Sequence, residues 1–356
     1  MIDEDTNVLY VGTMEGRLLA IDLNGDGSPI ARFELTGDDN KRAIYGNPYL
    51  VDGAIFVGGY DGFLYSISAS PSGEELSLNW KIEVSPDEPL VGGPVASDGV
   101  VVVGSSDGYV YAFDIVQERE IWRYQTGNKI WATPSIKDGI VYIGSLDKNL
   151  YALKLFGTDS QVGERLLWKF STGGAITAKP LVMDGRVYFG SFDSTFYALN
   201  AVSGREHWKF EGSRNWYWTG AIADGQTLFV PSMDRKLYAL DATTGQVKWT
   251  LETDGDLTGS PVVLSRWIAV PSDDGALYIA NLSNGGNVEK CEIGARLRSD
   301  LVAVAQQDTV YVNTWDHSTV AVTVKENGRP DSLWRHITNK DKWKQDWRDT
   351  KGGEIC

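Results

Sequence analysis

Three oxygen-bearing side chains occupy alternate positions near the start of this 356-residue sequence. Asp22, Asn24 and Asp26 present the carboxylate and amide oxygens that calcium-binding loops use. An EF-hand loop has glutamate at its twelfth position, where this sequence has Phe33. A calcium site formed by Asp22, Asn24 and Asp26 is therefore one hypothesis, and an ordinary turn is the favoured interpretation.

Residues typical of catalysis are sparse. His207, His317 and His336 lie far apart, and the sequence has no HExxH, GxSxG or P-loop motif. Two cysteines, Cys291 and Cys356, are too few for a zinc cluster or a disulfide framework and leave the redox compartment undecided. The sequence therefore predicts no catalytic residues.

Aromatic and arginine side chains are a stronger indication of binding. They occur in only some of the repeats described below, which argues against a purely structural role. Aromatic and arginine residues suit the recognition of a peptide, a carbohydrate or a flat ring, and ordinary loop packing is the alternative. The candidate binding residues are Tyr45, Trp131, Arg214, Trp216, Trp218, Arg296 and Arg298.

These residues lie on a repeating framework. A pattern of two short apolar runs joined by a polar turn, such as LYVGTMEGRLLAID from Leu9, recurs at intervals of 40 to 46 residues. Period-two apolar runs broken by turns predict antiparallel strands. Eight strand-only copies of this length predict an all-β, eight-bladed β-propeller with four-stranded antiparallel blades. The copies begin at Leu9, Ile55, Val101, Val141, Val187, Leu228, Ile268 and Val310.

The blade geometry predicts one face for the candidate residues. In a four-stranded blade, the loop before the inner strand and the turn between the second and third strands emerge on the same side. That face also receives one acid from each repeat, in a Ser-x-Asp-type turn. A ring of acids could hold a cation, but aspartate at such a turn commonly accepts a hydrogen bond from its own backbone. The acids are Glu15, Asp61, Asp107, Asp147, Asp193, Asp234, Asp274 and Asp316.

Tryptophan recurs in the outer strands. One indole per repeat predicts a buried contact between blades, with its N–H bonded to a neighbour. In the seventh repeat Cys291 takes the aligned place, where it is expected to be a small buried hydrophobic residue. The six recurring tryptophans are Trp80, Trp122, Trp168, Trp208, Trp249 and Trp334.

A family resemblance covers nearly the whole chain and is clearest in one repeat. Ala239-x-Asp241-x-x-Thr244-Gly245-x-x-x-Trp249 resembles the tryptophan-docking motif of propellers built from pyrroloquinoline-quinone (PQQ) repeats. That family includes quinoprotein alcohol and glucose dehydrogenases, non-enzymatic outer-membrane assembly lipoproteins of the BamB-like branch, and sensor ectodomains. The resemblance implies the propeller fold and leaves the function open among these classes.

The resemblance also implies what a dehydrogenase would need. Its quinoprotein members use adjacent cysteines above the quinone, a tryptophan below it, and calcium beside a catalytic aspartate. Cys291 and Cys356 are not adjacent, so the expectation is a non-catalytic, BamB-like scaffold without a cofactor. A dehydrogenase that uses PQQ and calcium is the first alternative, and a sensor or adhesion ectodomain of a membrane-anchored protein is the second.

Composition limits the partners. The formal net charge is -15 and the isoelectric point is about 4.7, which disfavours nucleic acid as a ligand. No apolar stretch approaches the roughly 20 residues that span a bilayer. The expected partner is a protein or a carbohydrate, and the chain is expected to be monomeric.

The ends of the chain suggest processing. The first residues, Met1 to Asp5, do not resemble a signal peptide, and the first repeat begins at its second strand. We therefore expect an extracytoplasmic protein, periplasmic or at the cell surface, whose leader or membrane anchor was removed. Residues 1–338 are predicted to form one propeller domain. The tail, residues 339–356, either supplies the missing inner strand of the first blade through Lys344–Lys351 or is a loose extension.

Overall fold

Each repeat folds into one antiparallel sheet. The computed structural model describes residues 1–36, 42–70, 74–157, 164–304 and 307–337. Over these residues the chain forms 32 β-strands in eight four-stranded sheets, and strands consecutive in sequence are neighbours within each sheet. This is the all-β, eight-bladed β-propeller that the repeats predict.

By its internal contacts the chain divides into two compact units. The first unit contains Met1, Asp3–Asp22 and Pro29–Gly220, and the second contains Ile2, Leu23–Ser28 and Ala221–Cys356. The first five sheets are formed by β1 Ile2–Asp3, β2 Val8–Gly12, β3 Arg17–Asp22, β4 Pro29–Glu34, β5 Tyr49–Val51, β6 Ala54–Gly58, β7 Phe63–Ala69, β8 Leu76–Glu83, β9 Val95–Ser97, β10 Val100–Gly104, β11 Tyr109–Asp114, β12 Arg119–Gln125, β13 Ser135–Lys137, β14 Ile140–Gly144, β15 Asn149–Lys154, β16 Leu166–Ser171, β17 Leu181–Met183, β18 Arg186–Gly190, β19 Phe196–Asn200 and β20 Glu206–Phe210.

The remaining three sheets are formed by β21 Ile222–Asp224, β22 Thr227–Ser232, β23 Lys236–Asp241, β24 Val247–Glu252, β25 Val262–Val263, β26 Trp267–Pro271, β27 Ala276–Asn281, β28 Glu289–Glu292, β29 Val302–Val304, β30 Thr309–Asn313, β31 Ser318–Val324 and β32 Pro330–Ile337.

The two middle strands of each sheet carry the core. In β10, Val100 to Val103 are at most 4% exposed, because both faces of this strand pack against other sheets. The outer strand β16 instead alternates exposed and partly buried residues, since only one of its faces packs inward. Cores therefore form between consecutive sheets, as where Val102 and Val110 cluster with Val141 and Ile143.

The inner hairpins close through Asp-Gly turns, as the sequence predicts. Asp52 and Gly53 have φ angles of 49° and 75°, and Asp98 and Gly99 have φ angles of 52° and 77°. Positive φ at both central residues is the signature of a type I′ turn, whose twist matches that of the flanking strands.

The first sheet has an inner strand of its own. Ile2–Asp3 occupies the place next to β2, and Met1 exchanges backbone hydrogen bonds with Tyr10, of 3.1 Å from the Met1 nitrogen and 2.8 Å to the Met1 oxygen. The expectation that the first repeat lacks this strand is therefore wrong, because a two-residue strand carries no readable apolar period. The tail, residues 339–356, lies outside the described residues.

Outer-strand tryptophans pack as expected in the first unit. The Trp122 and Trp168 indole nitrogens donate to the carbonyls of Leu155 and Ala201, each at 2.9 Å. A Cβ added to Gly204 would lie 2.6 Å from the Trp168 ring, so only glycine fits beneath that indole. In the second unit, Trp249 packs in the same way against Gly285.

The seventh sheet has no tryptophan in its outer strand, and Cys291 stands in the aligned place. Cys291 is fully buried, as predicted, but it is disulfide-bonded and is not a free thiol. The sequence has one other cysteine, Cys356, which lies outside the described residues. Trp267, from the start of β26, packs against Gly328 in the next sheet. In other sheets the equivalent glycine, such as Gly204 or Gly285, contacts an outer-strand tryptophan.

Candidate binding site on the interblade loops

The interblade loops, which join the outer strand of one blade to the inner strand of the next, are each held by a buried residue. The backbone N–H of this anchor donates to the carbonyl of the residue that opens the preceding blade's Ser-x-Asp-type turn. The anchors are at most 3% exposed, so each loop is fixed by burial and by a hydrogen bond. They are Ile44, Leu90, Ile130, Ile176, Tyr217, Leu257 and Leu297.

A glycine makes room for the anchor in five blades of the first unit. A Cβ on Gly144 would lie 2.2 Å from Cγ2 of Ile176, and one on Gly190 would lie 2.2 Å from Cβ of Tyr217. The glycine that marks the repeat in the sequence is thus required by close approach of the loop.

The residues beside the anchor Tyr217 point away from the core. Trp216 and Trp218 flank Tyr217 and are 46% and 39% exposed, although Tyr217 is 1% exposed. The middle residue of the Ser-x-Asp turn runs alongside, because its N–H donates to a carbonyl of the loop, as from Phe192 to Ala175 at 2.9 Å. Loop and turn therefore form one surface, which we call the interblade-loop face.

Three aromatic rings stack on this face in the first unit. Phe192 lies 4.7 Å from Trp216, with 7° between the ring planes, and 5.7 Å from Trp218, with 22°. Thr177 Oγ1 donates to the carbonyl of Trp218 at 3.0 Å and fixes the loop further. Of the three rings, Phe192 is absent from the sequence-based candidates. The tryptophans are thus held rigidly while much of their surface meets solvent.

The other predicted residues of the first unit are not members of that stack. Tyr45 is 50% exposed and lies 5.4 Å from Tyr60, which the sequence-based candidates also lack. Trp131 is half-buried, and Arg214 is exposed on the loop that carries Trp216. Both Tyr60 and Phe192 are the middle residue of a Ser-x-Asp-type turn. That position varies among the repeats and could have been used to predict them from the sequence.

In the second unit the predicted arginines already have an acidic partner. Arg298 forms two hydrogen bonds to Asp273, at 2.7 and 2.9 Å, and its guanidinium lies 5.1 Å from the Trp315 ring. The hydrogen bond and charge of Asp273 raise the pKa of Arg298. Arg296 is 3.8 Å from the same carboxylate. Asp273 therefore neutralises part of the positive charge of Arg296 and Arg298 that was predicted to contact a ligand. Trp315, which is 57% exposed, is the aromatic surface beside them.

The turn acids are engaged within the protein. Asp147 accepts from the N–H groups of Asn149 and Gly127, at 3.0 and 2.7 Å, and from the Tyr151 hydroxyl at 2.5 Å. The interpretation of the turn aspartate as a backbone acceptor is confirmed in the blades where this bond is formed. The tyrosine four residues later was not anticipated, and the pairs are Asp61–Tyr65, Asp107–Tyr111, Asp147–Tyr151, Asp193–Tyr197, Asp234–Tyr238 and Asp274–Tyr278.

Asp26 of the calcium hypothesis takes part in a local turn. Its Oδ1 accepts from the backbone N–H of Ser28 at 2.9 Å, and this hydrogen bond lowers the pKa of Asp26. Within the described ranges, no three or more His, Cys, Asp or Glu side chains form a group that could hold a metal ion. Calcium at Asp22, Asn24 and Asp26 stays a prediction, since amide and backbone oxygens also bind this ion.

The quinone hypothesis fits the described residues poorly. A quinoprotein site needs adjacent cysteines over the cofactor, whereas Cys291 lies buried in the outer strand β28 and is disulfide-bonded.

Among the described residues, no helix is long and apolar enough to cross a membrane.

Comparison with known proteins gives a family and a fold. The family model described as outer membrane protein assembly factor BamB matches residues 69–160, 159–217 and 214–336. The crystal structure of BamB from Moraxella catarrhalis aligns with a TM-score of 0.73 and 20% identity, covering 92% of this chain and 94% of that chain. The crystal structure of the computationally designed Ika8 protein aligns with a TM-score of 0.73 and 15% identity, covering 92% and 93%. At these identities the structures support the fold alone. No significant match was found among curated protein sequences.

Proposed function

The chain belongs to the family of the outer membrane protein assembly factor BamB, and on this premise we propose that it is a non-catalytic extracytoplasmic scaffold. It binds a protein or polymeric ligand through the interblade-loop face. Tyr45, Trp131, Trp216 and Trp218 supply apolar contacts.

The observation that carries this proposal is the rigid, exposed stack of Trp216, Phe192 and Trp218. Exposing large aromatic surface is unfavourable in water, and a fixed ring loses little conformational entropy when a ligand covers it. Tryptophan, tyrosine and arginine are also the residues that contribute most to binding at interfaces.

A structural rather than catalytic role is supported by the polar groups of this face. The turn aspartates accept hydrogen bonds from their own turns and from tyrosines, and Arg298 is paired with Asp273. Catalysis generally needs a titratable group poised toward a substrate, and these groups are committed to the fold.

An extracytoplasmic location is supported by the disulfide at Cys291. Structural disulfides persist in oxidising compartments and are rare in the reducing cytosol. The PQQ- and calcium-dependent dehydrogenase and the sensor or adhesion ectodomain remain alternative predictions.

The proposal is tested by site-specific crosslinking in cell envelopes. A photoreactive residue at position 131 or 218 is expected to give discrete crosslinked products. The same residue at position 202, where Val202 is 72% exposed at the opposite end of its blade, is the matched control. Equal products at positions 202 and 218, or none at positions 131 and 218, would reject the interblade-loop face.

A further inference from the structure

We propose that the stack of Trp216, Phe192 and Trp218 is a binding subsite for a neutral pyranose ring of an oligosaccharide or polysaccharide. This inference rests on the proposed function, because it names the ligand class for one part of the interblade-loop face. It concerns the first unit only.

The exposed apolar residues at this end of the first unit are of an unusual kind. They are aromatic rings, with Met14 as the one exception within the described residues: Tyr45, Tyr60, Trp216 and Trp218. The exposed aliphatic residues of the same unit lie on outer strands, such as Ile121 and Leu167, or in turns at the opposite end, such as Val116 and Val202. Flat aromatic rings are a surface on which the C–H groups of a sugar ring can stack, and no exposed leucine, isoleucine or valine lies at this end of the described first unit.

The rings are fixed before any ligand arrives. Tyr217 anchors the loop between the two tryptophans, the Thr177 hydroxyl holds the carbonyl of Trp218, and Phe192 stacks on both indoles. Sugars offer little apolar area for binding. A site that binds them should therefore lose little conformational entropy when the ligand arrives. A preformed stack meets that requirement.

One exposed polar side chain, that of Arg214, lies on the same loop as Trp216. Ser213, Arg214 and Asn215 directly precede Trp216, and Arg214 is exposed. Ser213 Oγ donates to the Asn215 carbonyl at 2.8 Å, and Asn215 Oδ1 accepts from the Trp216 backbone at 2.9 Å, so this segment is ordered. An apolar face bordered by a few fixed polar groups is the usual composition of a small-ligand site.

Charge favours a neutral sugar over an acidic one. The protein carries a formal net charge of -15, and Glu211 and Asp193 lie close in sequence to the stacked residues. A polyanion such as a uronate polymer would be repelled at long range. A neutral pyranose ring is not repelled in this way and can still stack on the aromatic rings.

The test uses neutral hexasaccharides of known linkage, namely cellohexaose, chitohexaose and maltohexaose, with polygalacturonate as the acidic comparison. Binding to the full chain is measured by calorimetry and tryptophan fluorescence. At least one neutral hexasaccharide is expected to bind saturably at millimolar or lower concentration. Trp216→Ala and Trp218→Ala should each weaken it about tenfold or more.

Two further variants make the result specific. Phe192→Ser, which copies Ser106 of an equivalent turn, keeps both tryptophans but removes their support and is expected to weaken binding. Phe156→Ala, at a ring 51% exposed at the opposite end of its blade, should leave binding within about twofold. Thermal unfolding of each variant shows that it is folded.

Three outcomes overturn the inference. The first is no saturable binding of any neutral hexasaccharide. The second is binding by the Trp216→Ala and Trp218→Ala variants that equals wild-type binding. The third is preferred binding of polygalacturonate. If sugars fail while position 218 still crosslinks to an envelope protein, the scaffold function stands and the sugar subsite is rejected.

Discussion

At the scale of single residues, the turn aspartate has a structural partner in six blades. Its tyrosine, four residues later, donates a hydroxyl hydrogen bond to it, as Tyr278 does to Asp274 at 2.7 Å. The spacing Asp-x-x-x-Tyr is visible in the sequence, but its meaning requires the third strand to return over the turn. The carboxylates of these six turns therefore stabilise the blade in which they lie.

Tyr278, in one of these pairs, should lose its hydroxyl proton at a higher pH than a free tyrosine. Burial, followed by the hydrogen bond to Asp274, raises the pKa of Tyr278 to about 12. The folded state thus holds this proton more tightly than the unfolded chain, whose tyrosine pKa is about 10. The resulting stabilisation is fully present below pH about 10 and is lost as the pH rises through the folded pKa.

A titration of tyrosinate absorbance, taken as the difference between the wild type and Tyr278→Phe, measures this directly. Its midpoint is expected near pH 12. Tyr311→Phe removes a tyrosine that lies outside the Asp–Tyr pairs and controls for loss of a ring. A midpoint near 10 for Tyr278 would contradict the pairing.

At the scale of elements, the interblade loop around Tyr217 is a three-part unit: a buried anchor, exposed flanking residues, and a glycine, Gly190, beneath the anchor. This arrangement separates folding from recognition, because the flanking side chains vary while the anchor holds the backbone. Trp216 and Trp218 therefore depend on Tyr217 and Gly190 for their position.

Replacing Gly190 with alanine should disturb the loop. The new Cβ would lie 2.2 Å from Cβ of Tyr217, an overlap with a part of the side chain that cannot swing away. Overpacking of this kind costs about 1–3 kcal/mol of unfolding free energy, measured by denaturant titration. Gly286→Ala is the control, since its Cβ would meet only the Asn284 side chain, at 3.1 Å. Equal stability of the two variants would show that the anchor does not need this glycine.

The outer-strand tryptophans form the second class of element contact. Trp122 is 4% exposed, donates to the Leu155 carbonyl, and has the Arg165 guanidinium 4.4 Å from its ring. Trp122→Ala should lower the unfolding free energy by about 3–5 kcal/mol through loss of buried area and a new cavity. Trp122→Phe keeps a ring and should cost less than the alanine variant. If Trp122→Ala cost under about 1 kcal/mol, the contact would not be part of the core.

At the scale of the whole molecule, the fold arises from repetition of one module whose single copy cannot bury its apolar faces. Eight sheets result, and their cores lie between neighbouring copies.

The disulfide at Cys291 predicts redox-dependent stability. Thiol labelling of the denatured, unreduced chain should find no free cysteine, and after reduction it should find both cysteines in the sequence. Reduction should lower the unfolding free energy by about 2–4 kcal/mol. The Cys291→Ala variant should show no further loss on reduction. Free thiols in protein that was never reduced would contradict the bond.

The sequence by itself determined the all-β propeller with eight blades, the place of the outer-strand tryptophans and the hairpin turns, although Trp122 is the one of the six tryptophans that is fully buried. Each of these follows from local chemistry: period-two apolar runs, a fixed repeat, and Asp-Gly at positive φ. The inner strand Ile2–Asp3 was missed because two residues carry no period.

Only the tertiary structure decided which candidate residues act together. Phe192 joins Trp216 and Trp218, Arg298 is paired with Asp273, and Cys291 is bonded rather than free. Each of these depends on side chains distant in sequence that meet when a loop folds over a neighbouring turn. No local sequence pattern predicts these contacts, because each one stabilises the protein only after the fold has brought both side chains together.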